Sequence, residues 1–393
     1  MSSSNLVRVA FVPETVYGQT PTGTNYTQAR FTSDSLSGSP ETTESQQIRV
    51  DRLSSGQVAT GLTVAGDINF ELAKESSIDE LIESAMYSSW VASAAVSEDL
   101  TIDTVAGTIT RAAGDFNGEV IVGDIATLTG FADSNNNTQI MIVAINSATV
   151  VRFVGPDTMV DEVGAGTSFE VSDKVNIGIT KKSFSMEKAF LDLTTKAINY
   201  RGMIASQMNL NVAYGEIVTG SFSFQGNDYE PVEAAGDFIT NGETINPAAT
   251  TNSMNGSIDM PFVVLEDTIL DETVFCIQSL DMTLNNNLTP QTCIGRAAPQ
   301  DYSEGTAQIE VSLTAYLANE NWQLLAKKLS QQSFAIGFLI KNVDGYYGIY
   351  MPAIQVSFDD PASAGINQDV LITMSGTAKV GPLGESSLTF YRG

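Results

Sequence analysis

The chain has 393 residues, 42% of them hydrophobic, and its 46 acidic against 19 basic side chains give a formal net charge of −27. This length and apolar content predict two or three folded domains, and the negative charge excludes non-specific attraction to nucleic acid or anionic membranes. The sequence has no histidine, which excludes histidine-activated nucleophiles and histidine zinc sites. We expect no signal peptide and no membrane span.

The N-terminal region predicts one strand followed by a long polar segment. Apolar and polar residues alternate from Val7 to Val16, as in a strand with one buried face. Residues 17–47 are rich in Gly, Thr, Ser, Pro and Asn, and so long a loop in a compact domain is commonly an interaction element or disordered. We therefore predict an arm that becomes ordered against a neighbouring subunit. The candidate assembly residues in and beside this arm are Tyr26, Arg30, Phe31, Arg49 and Arg52.

A strand and a helix are predicted next. β alternation resumes over residues 48–58 and leads into a strand at Val64–Leu72. Ser77 and Glu80 have the spacing of a capping box at the start of a helix. The apolar residues that follow recur at the spacing of an amphipathic helix, namely Ile78, Leu81, Ile82, Ala85 and Met86.

Residues 96–180 predict an inserted domain. They contain many short β-patterned segments separated by Gly and Asn turns, which is typical of a small sandwich or barrel. An insertion whose ends lie close together folds independently and projects from the surface. We therefore predict an outward-facing Ig-like or small-barrel domain at 96–180. It interrupts a larger domain made of residues 1–95 and 181–393.

The larger domain contains an internal repeat. The pattern of residues 183–227 recurs in degenerate form in residues 333–378, and both copies read as three strands. A strand and a helix precede each copy, which in the second half are Ala307–Leu313 and Glu320–Leu329. The sequence therefore predicts a mainly β sandwich or barrel with flanking short helices and two pseudo-equivalent halves, the second at 305–380.

No catalytic, metal or cofactor site is predicted. Asp133–Asn137 begins like a calcium loop, but Thr138 and Ala144 stand where that loop needs Gly and a bidentate Glu, so we interpret it as a polar turn. An acidic group could be imagined as a carboxylate pair but is better explained as a solvated surface; its members are Glu266, Asp267, Asp271 and Glu272.

Two further groups of residues have an ordinary explanation. Cys276 and Cys293 lie too far apart for a redox or zinc motif, and we expect reduced thiols. The one basic concentration is weak as a nucleic-acid patch, and in an acidic protein it is expected to meet acidic neighbours. It consists of Lys181, Lys182, Lys188, Lys196 and Arg201.

Several motifs occur along the chain in a recognisable order. They are Val64–Ile68 with the helix after it, Ser183–Lys188, Gly202–Ser206 with Gly220–Phe222, Gly305–Tyr316 and Tyr350–Ile354. This order resembles the major tail tube proteins of long-tailed, siphovirus-like bacteriophages. The similarity covers most of the chain outside residues 96–180 and depends on many weak matches in one order.

The resemblance implies a structural virion protein without enzymatic activity. In that family a β-sandwich with a flanking helix assembles as six subunits in a ring, the inner strands form one continuous barrel, and stacked rings form the conduit for genome ejection. The implied partners are further copies of the chain, the tape measure protein and transiting double-stranded DNA in the lumen, and the tail terminator and tail tip proteins. The implied location is the phage tail, assembled in the host bacterial cytoplasm.

Other functions remain open at this point. A tail terminator or a secretion-system tube protein would share the fold but differ in how far it polymerises. A secreted carbohydrate-binding or adhesive β protein would share the composition, yet it should carry an export signal or exposed aromatic clusters. A glycosidase would need two positioned carboxylates in a cleft, for which the sequence offers no convincing pair.

Overall fold

A computed structural model describes residues 2–93, 95–194, 196–233, 243–265, 268–269, 276–317, 333–358, 360–361 and 365–393. Over these residues the protein is mainly β, with twenty-nine strands and one α-helix. This confirms the predicted fold class. The predicted helix at Glu320–Leu329 and the acidic group at 266–272 lie outside the described residues.

The elements before the insertion are short strands around one long strand and one helix. They are η1 (Ser4–Leu6), β1 (Val7–Pro13), β2 (Tyr26–Gln28), β3 (Ser33–Asp34), β4 (Ser37–Glu44), β5 (Gln57–Glu71) and α1 (Ser76–Met86).

Eight strands then form a separate sheet. They are β6 (Ala95–Glu98), β7 (Leu100–Asp103), β8 (Thr108–Arg111), β9 (Ile125–Thr129), β10 (Gln139–Ser147), β11 (Val150–Val154), β12 (Glu162–Val163) and β13 (Thr167–Val171), with η2 (Ser134–Asn136) between β9 and β10. The sheet order is β12-β7-β8-β11-β10-β9-β13-β6.

Nearly all of the remaining strands belong to the main sheet system, and two of them, Thr289–Gln291 and Asp301–Ser303, form a separate two-stranded sheet. The first group is β14 (Asp173–Asn176), β15 (Ser183–Phe190), β16 (Ala197–Ala213), β17 (Thr219–Gly226), β18 (Asp228–Val232) and β19 (Ile245–Asn246). The second is β20 (Phe262–Leu265), β21 (Thr268–Ile269), β22 (Ile277–Asn285), β23 (Thr289–Gln291), β24 (Asp301–Ser303), β25 (Gln308–Tyr316), β26 (Ser333–Asn342), β27 (Gly345–Phe358), β28 (Leu371–Ala378) and β29 (Thr389–Arg392).

Helix α1 packs one apolar face on the sheet but begins differently from the prediction. Its N-cap residue is Glu75, which makes no side-chain capping bond, and Ser77 is already inside the first turn and buried. The predicted capping box of Ser77 and Glu80 is therefore wrong. At the other end the chain leaves the helix through Tyr87, whose φ of 51° is left-handed. The Tyr87 hydroxyl donates to the carbonyl of Ala205 in β16 at 3.0 Å.

The eight-stranded sheet has its own hydrophobic core, which includes Ile109, Phe116, Ile140 and Phe153. Its strands run from residue 95 to residue 171, whereas β14 already pairs with β29 in the main sheet system. The separate sheet therefore ends about nine residues before the boundary at 180 that the sequence suggested.

The two halves of the main sheet system repeat one pairing scheme. In the first half β5 pairs with β17, β17 with β16, and β16 with β15, which also pairs with β1. In the second half β25 pairs with β28, β28 with β27, and β27 with β26, which also pairs with β20. Even an irregularity is shared, because the register shifts after Phe184 in β15 and after Phe334 in β26. The predicted duplication is therefore present in the fold.

One strand joins the halves. β22 pairs with β25 on one side and with β16 on the other, so that the strands follow the order β4-β5-β17-β16-β22-β25-β28-β27. All of these pairings are antiparallel. The two halves consequently share one continuous sheet, with Leu280, Met282 and Leu284 of the joining strand buried in the common core.

The polar segment 17–47 is not the unstructured arm that the sequence predicted. It contains β2, which pairs with β1, and β3, which pairs with β5. Its second part, β4, forms a long hairpin with β5 from Ser37 opposite Ala65 to Glu44 opposite Gln57. The expected alternation over 48–58 is also wrong, since residues 45–56 form the loop of this hairpin. The composition was misleading because a strand exposed on both faces needs no apolar alternation.

Candidate assembly surfaces

The hairpin of β4 and β5 ends in an apolar loop. None of the eight residues of β4 is buried, and residues 46–60 are all exposed. The loop nevertheless carries Ile48 and Val50, which are 99% and 104% exposed, and Leu53, which is 65% exposed. Such side chains are normally buried, and a group of them at the end of a projecting element indicates a contact surface. Sequence reasoning missed this group because the same residues fit a half-buried strand.

The two arginines predicted for assembly lie in this loop. The Arg49 guanidinium donates to Asp51 at 2.9 and 2.5 Å, and this contact lowers the pKa of the Asp51 carboxyl. Arg52 lies within the same loop and has a left-handed φ of 61°, which is typical of a turn. Both arginines therefore belong to the hairpin loop, which we call the hairpin tip (residues 45–56).

The other three candidate assembly residues lie elsewhere and contact their own chain. Tyr26 is 5% exposed and packs with Ala10 and Val12 of β1. The Arg30 guanidinium donates to the carbonyl of Thr251 at 2.5 Å, and Phe31 packs on the main core. Tyr26, Arg30 and Phe31 are thus not brought together with Arg49 and Arg52, since local packing holds them on the subunit itself.

The basic concentration is neutralised within the chain. Each of its five members makes an ion pair with an acidic residue of the same subunit, as expected for a basic cluster in an acidic protein. The pairs are Lys181 with Asp301, Lys182 with Glu83, Lys188 with Asp34, Lys196 with Glu233, and Arg201 with Asp228 and Glu230. These residues therefore offer no phosphate-binding surface.

Two buried carboxylates connect distant parts of the chain. Asp124 in the eight-stranded unit accepts from the Lys174 ammonium at 2.8 Å and from the Tyr391 hydroxyl at 3.1 Å. Asp79 in α1 accepts from the Tyr347 hydroxyl at 2.7 Å and pairs with Arg392 at 3.0 Å. Burial, with the facing carboxylate, raises the pKa of both tyrosines well above the usual value. No spacing in the sequence indicates the contacts with Tyr347, Tyr391 and Arg392, because these partners lie 268, 267 and 313 residues away from their carboxylates.

The predicted turn at Asp133–Asn137 is a capped 3₁₀ turn rather than an ion site. The Asp133 side chain accepts from the backbone N–H of Asn135 at 2.9 Å, and the Asn136 amide donates to Glu162 at 2.7 Å. In the part of the chain that the structure describes, no group of three acidic or cysteine residues could hold a metal ion. Cys276 and Cys293 are free thiols on the surface.

These features are those of a structural β protein with exposed assembly surfaces: a duplicated β sheet, an exposed hairpin with an apolar tip, and a basic cluster that is paired within the chain. The sequence profile of phage tail tube proteins matches residues 4–378. The chain belongs to that family, and its role is the structural one of forming the tail tube of the virion. A comparison with curated proteins finds no match. None of the described helices is long and apolar enough to cross a membrane.

Proposed function

We propose that copies of this chain close into hexameric rings through their sheet edges and that the rings stack into the tube of a long-tailed, siphovirus-like phage. The observation that supports this most is the continuous series of paired strands from β4 to β27, which crosses both halves of the subunit. Open strand edges pair readily with further strands, and a closed ring satisfies all of them. The tube would be a conduit for DNA ejected into the host bacterium.

The charge of the chain suits this conduit. Six copies carry roughly −160 charges, and a like-charged wall gives no counterion-release binding that would retard the DNA. The ion pairs of the basic residues support the same proposal, because they leave few positively charged side chains free to bind the phosphates of DNA. The remaining proposed partners are the tape measure protein in the lumen and the terminator and tip proteins at the tube ends. Assembly would take place in the host cytoplasm.

We propose that the eight-stranded unit is an inserted domain that faces outward from the tube, between the parts 1–95 and 181–393 of the tube domain. Its separate core supports independent folding. It is also fixed to the second half through a small apolar cluster that includes Ile125, Met141, Leu339 and Tyr350. An eight-stranded unit fixed in this way would keep one orientation relative to the rest of its subunit in the ring.

Ring stacking is assigned to the hairpin tip. Ile48 and Val50 gain roughly 1.5–3 kcal/mol each when they are covered, so the tip has reason to pack on an adjacent ring. Replacing both with serine should leave single rings that no longer stack. Negative-stain microscopy of purified protein distinguishes the two states, with long tubes expected from the unaltered chain.

A matched control is Val105→Ser in the eight-stranded unit, because Val105 is 93% exposed and lies far from the tip in the chain. Normal tubes are expected from this variant. Normal tubes from the Ile48→Ser and Val50→Ser double variant contradict the assignment of the tip. Unaltered protein that stops at one ring favours a tail terminator, and protein that stays monomeric contradicts the ring itself.

A further inference from the structure

The strand that joins the halves has a counterpart at the start of the chain. β22 precedes β25 and pairs with it, with Leu280 opposite Leu313. In the first half β3 and β4 precede β5 and pair with it in the same manner, with Asp34 opposite Ile68. Superposing the pairings of the two halves places Ser39 at the position of Asn285.

The two counterparts differ in what lies on their other edge. β22 is paired on both edges, since its residues Ser279 to Asn285 also lie opposite Ala213 to Gln207 of β16. Among the described residues, β3 and β4 pair with β5 alone. The edge that joins the halves inside the chain is therefore left open at the first half.

The strand that would receive this edge is open as well. In the first half β15 pairs with β16 up to Ile204, and β22 takes over that edge from Gln207. In the second half β26 pairs with β27 up to Gln355. Beyond it, Ser357 and Phe358 pair with β28 on one side, and no described strand lies on the other. Each half thus presents the same receiving edge, and among the strands that the structure describes only the first is occupied.

We propose that the start of β4 in one copy pairs antiparallel with the end of β27 in the next copy, so that the contact between subunits repeats the contact between halves. In this register Ser39 lies opposite Ser357 and Gly38 opposite Phe358. The proposal rests on the ring proposed above and names its sheet contact. The partner is a second copy because the two open edges lie at opposite ends of one series of strands. A head-to-tail contact of this kind gives a ring when the rotation between successive copies closes, as the proposed tube requires.

A local detail of the two junctions agrees with this register. Inside the chain the backbone N–H of Asn286 donates to the carbonyl of Ser206 at 2.9 Å, and Ser206 is the extra residue of a register shift in β16. The position of Asn286 is taken by Pro40 in the first half, and proline has no N–H to donate. The pairing of β27 with β28 has no register shift, so the acceptor residue is missing too. Donor and acceptor are lost together.

The test is a disulfide across the proposed contact, made in a Cys276→Ser and Cys293→Ser background because both native thiols are exposed. Ser39→Cys with Ser357→Cys places two thiols on directly opposed residues, whose Cα atoms lie about 4.5–5.5 Å apart as a disulfide requires. Oxidation of assembled protein should give a series of covalent multimers on a non-reducing gel. Its largest member counts the chains in a ring, which is half the number of half-modules.

Two control pairs of cysteines test whether the cross-link is specific to the proposed contact and register. Gln207→Cys with Asn285→Cys spans the internal junction and should close within one chain, giving only monomer. Thr43→Cys with Ser357→Cys is displaced by four residues, roughly 13 Å along the strand, and should give no multimers. A mixture of the single variants Ser39→Cys and Ser357→Cys should stop at covalent dimers, since each chain then carries one reactive thiol.

The outcomes separate this proposal from the proposed function. Tubes that give no multimers, while the internal pair closes, overturn the strand pairing and leave the tube intact. If the displaced pair, Thr43→Cys with Ser357→Cys, gives the same multimers as Ser39→Cys with Ser357→Cys, the proposed register is wrong. Unaltered protein that forms neither rings nor tubes overturns the ring and the strand contact together.

Discussion

The two halves share one backbone scheme but differ in the chemistry of the face beside the eight-stranded unit. Glu187 lies opposite Asn199 in the first half, and at the equivalent place Gly337 lies opposite Tyr350 in the second. Glu187 is buried and pairs with Arg8 at 3.2 Å. The second half instead accepts the side chain of Met141 from the eight-stranded unit, since a Cβ at Gly337 would lie 2.5 Å from its sulfur.

The comparison teaches that duplication kept the hydrogen-bonding pattern while each face adapted to its neighbour. The second half is fixed to the eight-stranded unit by apolar packing and by the Tyr346 hydroxyl, which lies 3.0 Å from Thr127 Oγ1 and 2.7 Å from Ser172 Oγ. In the first half the equivalent face carries Ala10 and Val12 of β1, which pack with Tyr26, beside the ion pair of Glu187 and Arg8. Backbone pairing constrains side chains little, so the two faces were free to diverge.

The largest loss of stability is expected when the buried glutamate of the first half is introduced at the equivalent position of the second half. Gly337→Glu puts a carboxylate without an arginine partner against Met141, and an uncompensated buried charge costs about 4 kcal/mol. Gly337→Gln has the same size without the charge and should cost about 2 kcal/mol through overpacking alone. Denaturant unfolding of both variants measures the difference. Equal losses would mean that this face is open to water.

The first half should make the stability of the protein depend on pH, whereas the equivalent position of the second half should not. Burial raises the pKa of Glu187 from 4.5 to about 7, against the opposing effect of Arg8. The folded protein therefore binds this proton more tightly than the unfolded chain, and the resulting stability is full below pH 4.5 and lost as the pH rises through 7. The loss amounts to about 3 kcal/mol.

The matched variant is Glu187→Gln, which cannot titrate. The free energy of unfolding of the unaltered chain, measured relative to this variant at pH 4.5 and pH 8, should fall as the pH rises. A difference that is constant between the two pH values would show that Glu187 stays ionised in the fold. The second half contributes nothing at the equivalent position, because Gly337 has no titrating group.

A further effect concerns the close approach of the eight-stranded unit to the second half. Gly123 has a left-handed φ of 93°, and a Cβ there would collide with the Tyr350 ring. Gly118 has a similar φ of 84° with nothing within 4 Å. Gly123→Ala should therefore cost about 3 kcal/mol and Gly118→Ala about 1, since the second change adds only backbone strain. Equal melting temperatures would place Tyr350 away from Gly123.

Much of the fold could be predicted from periodicity. The strand at Val7, the helix around Ile78 to Met86 and the repeat at 183 and 333 all have buried faces, and a buried face imposes a regular apolar pattern. The hairpin of β4 and β5 was missed because neither face of β4 is buried. The capping box failed because the N-cap residue is Glu75, two residues earlier than the Ser77 that its motif indicated.

The fold places the five candidate assembly residues in two separate regions. Arg49 and Arg52 do lie on a projecting element, but Tyr26, Arg30 and Phe31 pack on their own subunit. The apolar residues of the hairpin tip look the same in the sequence as residues of a half-buried strand. Whether Ile48 and Val50 are covered depends on what lies beside them, and that is a property of the folded subunit.

The sequence by itself determined the β class, the acidic charge, the position of the first helix and the existence of two related halves. These follow from composition and from patterns that extend over a few residues. Only the tertiary structure decided that β22 joins the halves, which edges stay open, and which face receives the eight-stranded unit. The physical reason is that alternation is local, whereas register and pairing depend on contacts between residues far apart in the chain.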